Sequence, residues 1–488
     1  MNWGLHMGAI NGKDYINRLD QLNNEIWYDG EKVEGFISQH PAFKGLIQSK
    51  AALYDLQHDP IIKDEMTYIS PLSGEPIGLS YLQPKTKEDL LRRRKMIVHW
   101  AKYSGGLMGR SPDYLNTVLM SFASSVSYLK DKDKCFPSNL QSFYELAREN
   151  DFSFTHTFIS PQVNRSQMYL EDTSEPIAAK VIEKNEDGLV IKGARLLATQ
   201  GGLTDEVLVF SAGKFLFNED EAFAFSIPSN TRGIKFICRD SFLGGPSSFN
   251  HPLSSRFEEM DSIVVFDNVL VPWDRVFYYN AEVAGEFPIQ SSFHPFAKHQ
   301  VLIRQIVKTE FVLGIAELLI ETINISEYQH VQEKMSEIII GLETMKALLE
   351  KSENNAKLDE WGYMRPEIFP LQVAGIIFPK IYPRFTEIIQ LIGASGMITL
   401  PSEKAFHSTI KSDLDLYLQG ANKTAEERVK IFRLAWDLTM SSFGTRQTQY
   451  ERYFFGDPIR LSSELYKKYP KKEYTKIISD FLSLKKED

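Results

Sequence analysis

Apolar positions recur at helical spacing through the first third of the chain, in Gly12–Asn24, Pro41–His58, Lys87–Tyr103, Pro112–Leu129 and Leu140–Asn150, with Gly, Pro and Asp between the runs. That pattern predicts an N-terminal helical domain over residues 1–152. From Phe152 the period shortens to two, in Ile177–Glu183, Leu189–Ile191 after an Asn185–Gly188 turn, Glu206–Phe210, Ala222–Ile227, Gly233–Cys238, Ser262–Val265 and Val269–Val271. Short alternating runs punctuated by turn residues predict a middle antiparallel β barrel or sandwich over residues 153–276. Helical spacing returns in Phe296–Ser326, His330–Asn355, Glu367–Gly393 and Thr424–Ser442, predicting a C-terminal helical bundle over residues 277–488. The expected class is α+β, in the order helices, sheet, bundle.

That order is not the strand–helix alternation of a Rossmann protein, and no strand runs into a Gly-x-Gly-x-x-Gly turn. The chain also lacks a Walker A sequence, His-Glu-x-x-His, Gly-x-Ser-x-Gly and any internal repeat. Hydrophobic residues make up 43% and charged residues 24%, as in a soluble globular protein, and 32 Phe with 21 Tyr suffice to line an aromatic pocket. A formal charge of -9, with no Lys/Arg run interleaved with aromatics, excludes nucleic acid and an anionic membrane as main partners. Met1–Gly12 lacks the basic and apolar regions of a signal peptide, and the apolar stretches near Phe311–Ile323 and Ile388–Leu400 are too short and interrupted to span a bilayer. A cytoplasmic location is expected. Cys135 and Cys238 are too few for a cysteine-only zinc site or an iron–sulfur cluster, so they read as core thiols and no metal is expected.

Three stretches carry candidate chemistry. In Gly105–Tyr114 the glycines end one helix, while Ser111 as N-cap, Pro112 at the first helical position and Asp113 in the first turn open the next. Arg110 then sits just outside the helix and Tyr114 in its first turn, where both can meet one small anion beside unpaired backbone N–H groups. The same residues also read as a capped surface helix in which Arg110 pairs with Asp113. In Asp151–Arg165 an alternating run holds His156 between two threonines, then leads through Phe158 into a Pro-broken loop with Gln162, Val163, Asn164 and Arg165. It lies at a domain junction, where pockets form; an edge strand with a core histidine is the other reading. Gly444-Thr445-Arg446-Gln447 reads as a loop between two helices, with Gly444 admitting a close backbone and Arg446 offering a fork for phosphate or carboxylate. A simple helix cap and restart explains it equally. His294 and His299, without an acidic partner at metal-site spacing, read as structural.

These stretches, together with Phe266–Val276 and Tyr450–Pro458, resemble the 4-hydroxyphenylacetate 3-hydroxylase family, the large oxygenase component of two-component FADH2-dependent aromatic monooxygenases. The resembling segments span nearly the whole chain. The resemblance implies an acyl-CoA dehydrogenase-like fold and a homotetramer assembled through the bundle. It also implies reduced FAD delivered by a separate NAD(P)H flavin reductase, O2 as co-substrate, and ortho-hydroxylation of a 4-substituted phenol to a catechol through a flavin C4a-hydroperoxide. Residue by residue, it implies Arg110, Tyr114 and His156 as the catalytic trio, with Ser111, Pro112, Asp113 and a loop at Ser211-Ala212 completing the phenol site. Flavin contacts are implied at His156, Thr157, Phe158, Gln162, Val163, Asn164, Arg165, Thr199, Gly444, Thr445, Arg446 and Gln447. Ala212 stands where the family pattern leads one to expect a second hydroxyl residue, which leaves the phenol's substituent open. His156 is expected to share the phenol proton with a pKa near working pH. The alternatives are an acyl-CoA dehydrogenase-like or dehydratase-like flavoenzyme on the same fold, and a flavin-binding protein without catalysis.

Overall fold

The computed structural model describes residues 8–163, 175–211 and 218–484. The expected order of helices, sheets and bundle is present. The first third holds the helices Gly12–Leu22, Lys44–Asp55, Lys87–Tyr103, Pro112–Ser124 and Pro137–Asn150. Two of them start with reciprocal capping boxes, Asn11 with Asp14 and Thr86 with Asp89, which satisfy amide donors that a helix start leaves free. This region is not helical throughout: Ile26–Tyr28 pairs with Glu31–Lys32 and also runs parallel to Ile234–Cys238.

The larger sheet is ordered Glu31–Lys32, Ile26–Tyr28, Ile234–Cys238, Asp261–Pro272, Gly188–Thr199, Lys180–Lys184. The smaller is ordered Val276–Tyr278, Ala224–Pro228, Glu206–Phe210, Phe154–Thr157. Pairing is antiparallel apart from the Ile26–Tyr28 pair and one in the smaller sheet, where Phe154–Thr157 runs parallel to Glu206–Phe210 and sets His156 opposite Leu208. Both strands of that second pair are buried along their whole length, the usual condition for parallel pairing.

In the C-terminal region, Phe293–Ile323 packs against Lys87–Tyr103 and Pro112–Ser124 as well as against Gln329–Asn354, Ile368–Gly393 and Ala425–Thr439. From Phe293 to Thr309 every residue except His294 is buried, as expected of a helix wrapped on all sides. Its polar side chains must therefore find partners inside the protein. The stretch expected to be a loop at Gly444–Gln447 lies instead within one helix, Ser442–Tyr453, capped by Ser441, whose Oγ accepts from the Gly444 amide at 3.0 Å. Gly444 is explained by close approach and not by a turn, because a Cβ there would lie 2.2 Å from the Leu438 carbonyl oxygen.

The apolar core has two main clusters. Leu107 and Met108 belong to one, with the larger sheet and the bundle, while Tyr114 and Leu115 belong to the other, around the smaller sheet. The turn between them passes from one core to the other, and the candidate site lies on it.

Candidate active site

Gly106 has φ +71°, and a Cβ on it would sit 2.7 Å from the Arg304 carbonyl oxygen, so only glycine lets the turn lie directly on the central helix. Its own carbonyl accepts from Arg304 Nη1 at 2.9 Å. The amides of Gly109 and Arg110, just before the helix start, each donate to the Glu259 carboxylate at 2.8 Å. Gln200 Nε2 ties that carboxylate to the Arg110 carbonyl at 2.9 and 3.0 Å. Ser111 and Pro112 occupy the N-cap and first helical positions, but the Ser111 hydroxyl donates to Asp113 at 2.5 Å and caps no amide. Asp113 also accepts from Gln300 at 2.8 Å, and burial raises its pKa against the pull of these two donors.

Asp113 is thus turned away from Arg110, and the surface-pair alternative fails. The Arg110 guanidinium is buried, 4.3 Å from the centres of the Tyr114 and Phe454 rings and 5.4 Å from that of Tyr450. Its one hydrogen bond goes to the Gly109 carbonyl at 3.2 Å, Nε has no partner, and no carboxylate among the described residues pairs with it. The aromatic rings hold it by their faces and leave its charge uncompensated.

His156 is buried, with ring centres 6.0 Å from Tyr114, 5.3 Å from Phe158 and 5.9 Å from Phe210. Its Nδ1 has no partner. Burial first, and then the charge of Arg110, push its pKa well below the usual value, so the imidazole is neutral and the expected titration near working pH does not hold for this state. Burial raises the Tyr114 pKa, with Arg110 and Arg304 pulling the other way, which keeps its hydroxyl protonated and able to donate.

Thr157 Oγ1 donates to the Leu196 carbonyl at 3.0 Å, and Phe158 stacks on Phe210 at 5.5 Å. Gln162 and Val163 are exposed; Asn164, Arg165 and Ala212 lie outside the described residues. Thr199 Oγ1 donates to Asp261 at 2.8 Å, and the same carboxylate takes the Arg446 fork at 3.0 and 2.7 Å. Burial would lower the Arg446 pKa, but Asp261 and Glu259 raise it. That fork is therefore spent on Asp261 and does not open toward a phosphate. Thr445 is exposed on its helix, and the Gln447 amide accepts from Lys308 at 2.7 Å and donates to the Leu107 carbonyl at 3.1 Å. Ser211 is buried with its hydroxyl donated to the Glu221 carbonyl at 2.6 Å. Tyr114 alone of the trio lines a cavity of about 710 Å³, with Phe158, Phe210, Phe293 and Phe454 also in its wall.

The family model for the 4-hydroxyphenylacetate 3-hydroxylase N terminal matches residues 11–278, and the model for its C terminal matches residues 284–483. This chain belongs to the 4-hydroxyphenylacetate 3-hydroxylase family. It is 68% identical over 477 residues to a probable 4-hydroxyphenylacetate 3-monooxygenase of Bacillus subtilis (strain 168), covering 98% of this chain and 99% of that one. The crystal structure of the oxygenase component of a 4-hydroxyphenylacetate 3-monooxygenase, complexed with FAD and 4-hydroxyphenylacetate, superposes with a TM-score of 0.93 at 44% identity, over 97% of this chain and 98% of that chain. A 4-hydroxybutyryl-CoA dehydratase of N. maritimus, 18% identical over 98% of this chain and 96% of that chain, gives a TM-score of 0.87 and so shares the fold alone.

In this member of the 4-hydroxyphenylacetate 3-hydroxylase family the structure brings Arg110, Tyr114 and His156 together and keeps Ser211 and Arg446 tied to partners of their own. His299 is structural, bonded to Glu353 at 2.9 Å, whereas His294 lines the cavity. Residues not singled out from the sequence complete the site. Phe454 and Phe455 had a signal, an aromatic pair inside the resembling segment Tyr450–Pro458. Glu259 and Gln200 had none, since nothing local marks a carboxylate whose partners lie 150 and 59 residues away.

Proposed function

We propose that this chain is a reduced-FAD-dependent oxygenase that hydroxylates a 4-substituted phenol such as 4-hydroxyphenylacetate ortho to its hydroxyl, with O2 as co-substrate and a separate NAD(P)H flavin reductase as the source of reduced FAD. The observation that carries this reading is Arg110, a buried cation held by aromatic faces, next to a neutral His156, with neither an anion for Arg110 nor a partner for His156 Nδ1 among the described residues. A phenolate is the ligand that supplies both missing partners. Its negative charge offsets that of Arg110, and the same charge makes it easier for His156 to hold the proton that the phenol gives up at Nδ1. Tyr114 donates to the phenolate oxygen, and the electron density left on the ring activates its ortho carbon.

The residues present fit a flavin at Phe158–Ser160. Arg195 Nη1 donates to the Phe158 carbonyl at 3.3 Å and to Ser160 at 3.1 Å, while its Nε and Nη2 stay buried without partners, as suits a polar-edged ring. Thr157, Phe158, Gln162, Val163, Thr199 and the exposed Thr445 would hold it. When bound and reduced, the flavin supplies the activated oxygen atom. The phenylalanine walls exclude water from the reacting carbon. An acyl-CoA dehydrogenase would need a carboxylate at the reacting end, and the carboxylates lining the cavity, Glu360 and Glu464, belong to other elements than the trio.

The assembly proposed is a homotetramer through the bundle, consistent with the exposed Ile459, Ile477 and Phe481 on Pro458–Lys468 and Lys472–Phe481, and the location proposed is cytoplasmic. No helix of the described residues is long and apolar enough to cross a membrane. The deciding experiment supplies the purified chain with excess flavin reductase, NADH and FAD and reads catechol against hydrogen peroxide over a panel of phenols. Catechol from 4-hydroxyphenylacetate is expected; peroxide alone from every phenol would overturn the reading.

A further inference from the structure

Lys50 is 1% exposed, on the helix Lys44–Asp55, far in sequence from the residues of the proposed site, and the mechanism does not use it. Its ammonium rests 5.1 Å from the centre of the Tyr15 ring and donates to Gln200 Oε1 at 2.9 Å; among the described residues it has no carboxylate partner. Burial lowers its pKa to about 7, although Asp205 and Glu259 pull the other way, so a charge there is costly to keep. What that charge holds is one amide oxygen.

Gln200 is buried at φ +63°, a left-handed backbone conformation that favours glycine, and such strain persists only where the surroundings hold it. Its backbone N–H donates to the Met260 carbonyl at 2.6 Å, and its side-chain Nε2 donates to the Glu259 carboxylate at 2.9 Å and to the Arg110 carbonyl at 3.0 Å. Glu259 in turn takes the Gly109 and Arg110 amides, so both backbone polar groups of Arg110 end on this relay. The guanidinium has no such anchor: its own hydrogen bond goes to the neighbouring Gly109 carbonyl, and ring faces surround it. Where the charge of Arg110 lies is therefore set by its backbone, and the backbone by the Gln200 amide. That amide works in one orientation alone. An ammonium donates and never accepts, so it holds Oε1 on its own side and turns Nε2 toward the two acceptors; the flipped amide would set Oε1 against a carboxylate and a carbonyl.

We propose that Lys50 is a positioning residue for the hydroxylation: by fixing the polarity of the Gln200 amide it holds the Arg110 backbone, through Glu259 and the Arg110 carbonyl, where the guanidinium can meet a phenolate. This rests on the hydroxylase reading for what Arg110 meets. The effect of Lys50 passes wholly through Gln200.

Two measurements on the full chain test it, one of them free of any ligand. In Lys50→Met, hydrogen exchange of the Gly109 and Arg110 amides should quicken about tenfold while that of the helix Phe293–Ile323 stays level. With excess flavin reductase, NADH and FAD, kcat/KM for catechol from 4-hydroxyphenylacetate should fall roughly tenfold to a hundredfold, with more of the oxygen ending as peroxide. Lys50→Gln, whose amide can accept as well as donate, should fall likewise, and Lys50→Arg, which only donates, should recover most of the loss. Lys50→Met combined with Gln200→Met should lose no more than Gln200→Met alone; additive losses would overturn the relay. Unchanged exchange at Gly109 and Arg110 in Lys50→Met overturns the proposal, and so does a Lys50→Gln that matches the wild type in catechol yield. Should Lys50→Met fail to fold, Lys50→Gln takes both measurements; if neither folds, Lys50 belongs to the scaffold and the proposal falls. If the wild type makes no catechol from any phenol, the hydroxylase reading fails, while the exchange of the two amides still decides whether Lys50 holds the Arg110 backbone.

Discussion

Two sets of buried charges can be set side by side, one on the central helix Phe293–Ile323 and one at the phenol turn that lies on it. Around Glu451, Arg304 donates at 2.6 and 3.1 Å, Lys308 at 2.8 Å and Gln305 at 3.2 Å, so one carboxylate gathers both cations. Burial alone would raise the Glu451 pKa, but Arg304 and Lys308 hold it far below the usual carboxylate range. Around the phenol turn, among the described residues, Arg110 has ring faces and no anion, and His156 Nδ1 has no partner. In the first set each charged group meets a counter-charge, with Arg304 Nε the one atom left over, whereas Arg110 in the second meets none among the described residues. Since buried polar groups left unpaired are costly, completeness marks the scaffold and incompleteness marks where a ligand belongs.

The sharpest way to break this comparison is at Glu451. Glu451→Leu leaves Arg304 and Lys308 buried without a counter-charge and is expected to cost about 3–5 kcal/mol in urea unfolding; a loss below about 1 kcal/mol would remove the Glu451 network from the scaffold. On the other side, Arg110→Ala and His156→Ala should each lower catechol formation by roughly 100-fold to 1000-fold while the urea midpoint stays level or rises. Matching stability losses at both sites would erase the distinction.

Acid probes the second set through stability. Because the pKa of His156 is held well below its unfolded value of about 6.5, and that of His294 is held at about 3, the unfolded chain binds protons that the folded chain refuses once the pH falls below about 6.5. Stability should therefore fall on acidification, by up to about 1.4 kcal/mol per pH unit for each such group, and show no slope from these groups above that window. Thermal melts of His156→Asn between pH 7.5 and 5.5 should show a shallower fall than the wild type; identical slopes would mean that His156 titrates freely. The smallest effect is expected from Tyr114→Phe, which removes one hydroxyl and should cut kcat/KM about fivefold to tenfold. No change there would take Tyr114 out of the list of donors to the phenolate.

What could be seen in the sequence follows the range of the interactions involved. Helices with local caps, such as Gly12–Leu22 and Lys87–Tyr103, were legible because their signals lie within four residues of each other. The trio came from the family resemblance, because the local residues, Arg110 and Tyr114 in one turn and His156 in one short strand, read equally as a capped surface helix and a core histidine. The parallel pairing of Phe154–Thr157 was not legible, since alternation looks the same for either direction. The fork of Arg446 looked open because Asp261 is 185 residues away, whereas the close backbone expected at Gly444 is present as the Leu438 carbonyl. The electrostatics of His156 were also hidden, because its pKa depends on burial and on Arg110, and neither shows in Thr155-His156-Thr157 itself.

Glu259 also bears on how the chain comes to life. Its carboxylate is joined to the amides of Gly109 and Arg110 and to Gln200, and it lies 3.6 Å from Arg446, so it gathers groups from every third of the polypeptide. Contacts this far apart carry a loop-closure cost that only the assembled molecule repays. A chain cut short of residue 446 would lack one of the groups that meet at this carboxylate and is expected to hold the phenol turn less firmly. The turn is in this sense a keystone, set by parts of the polypeptide that are distant in sequence.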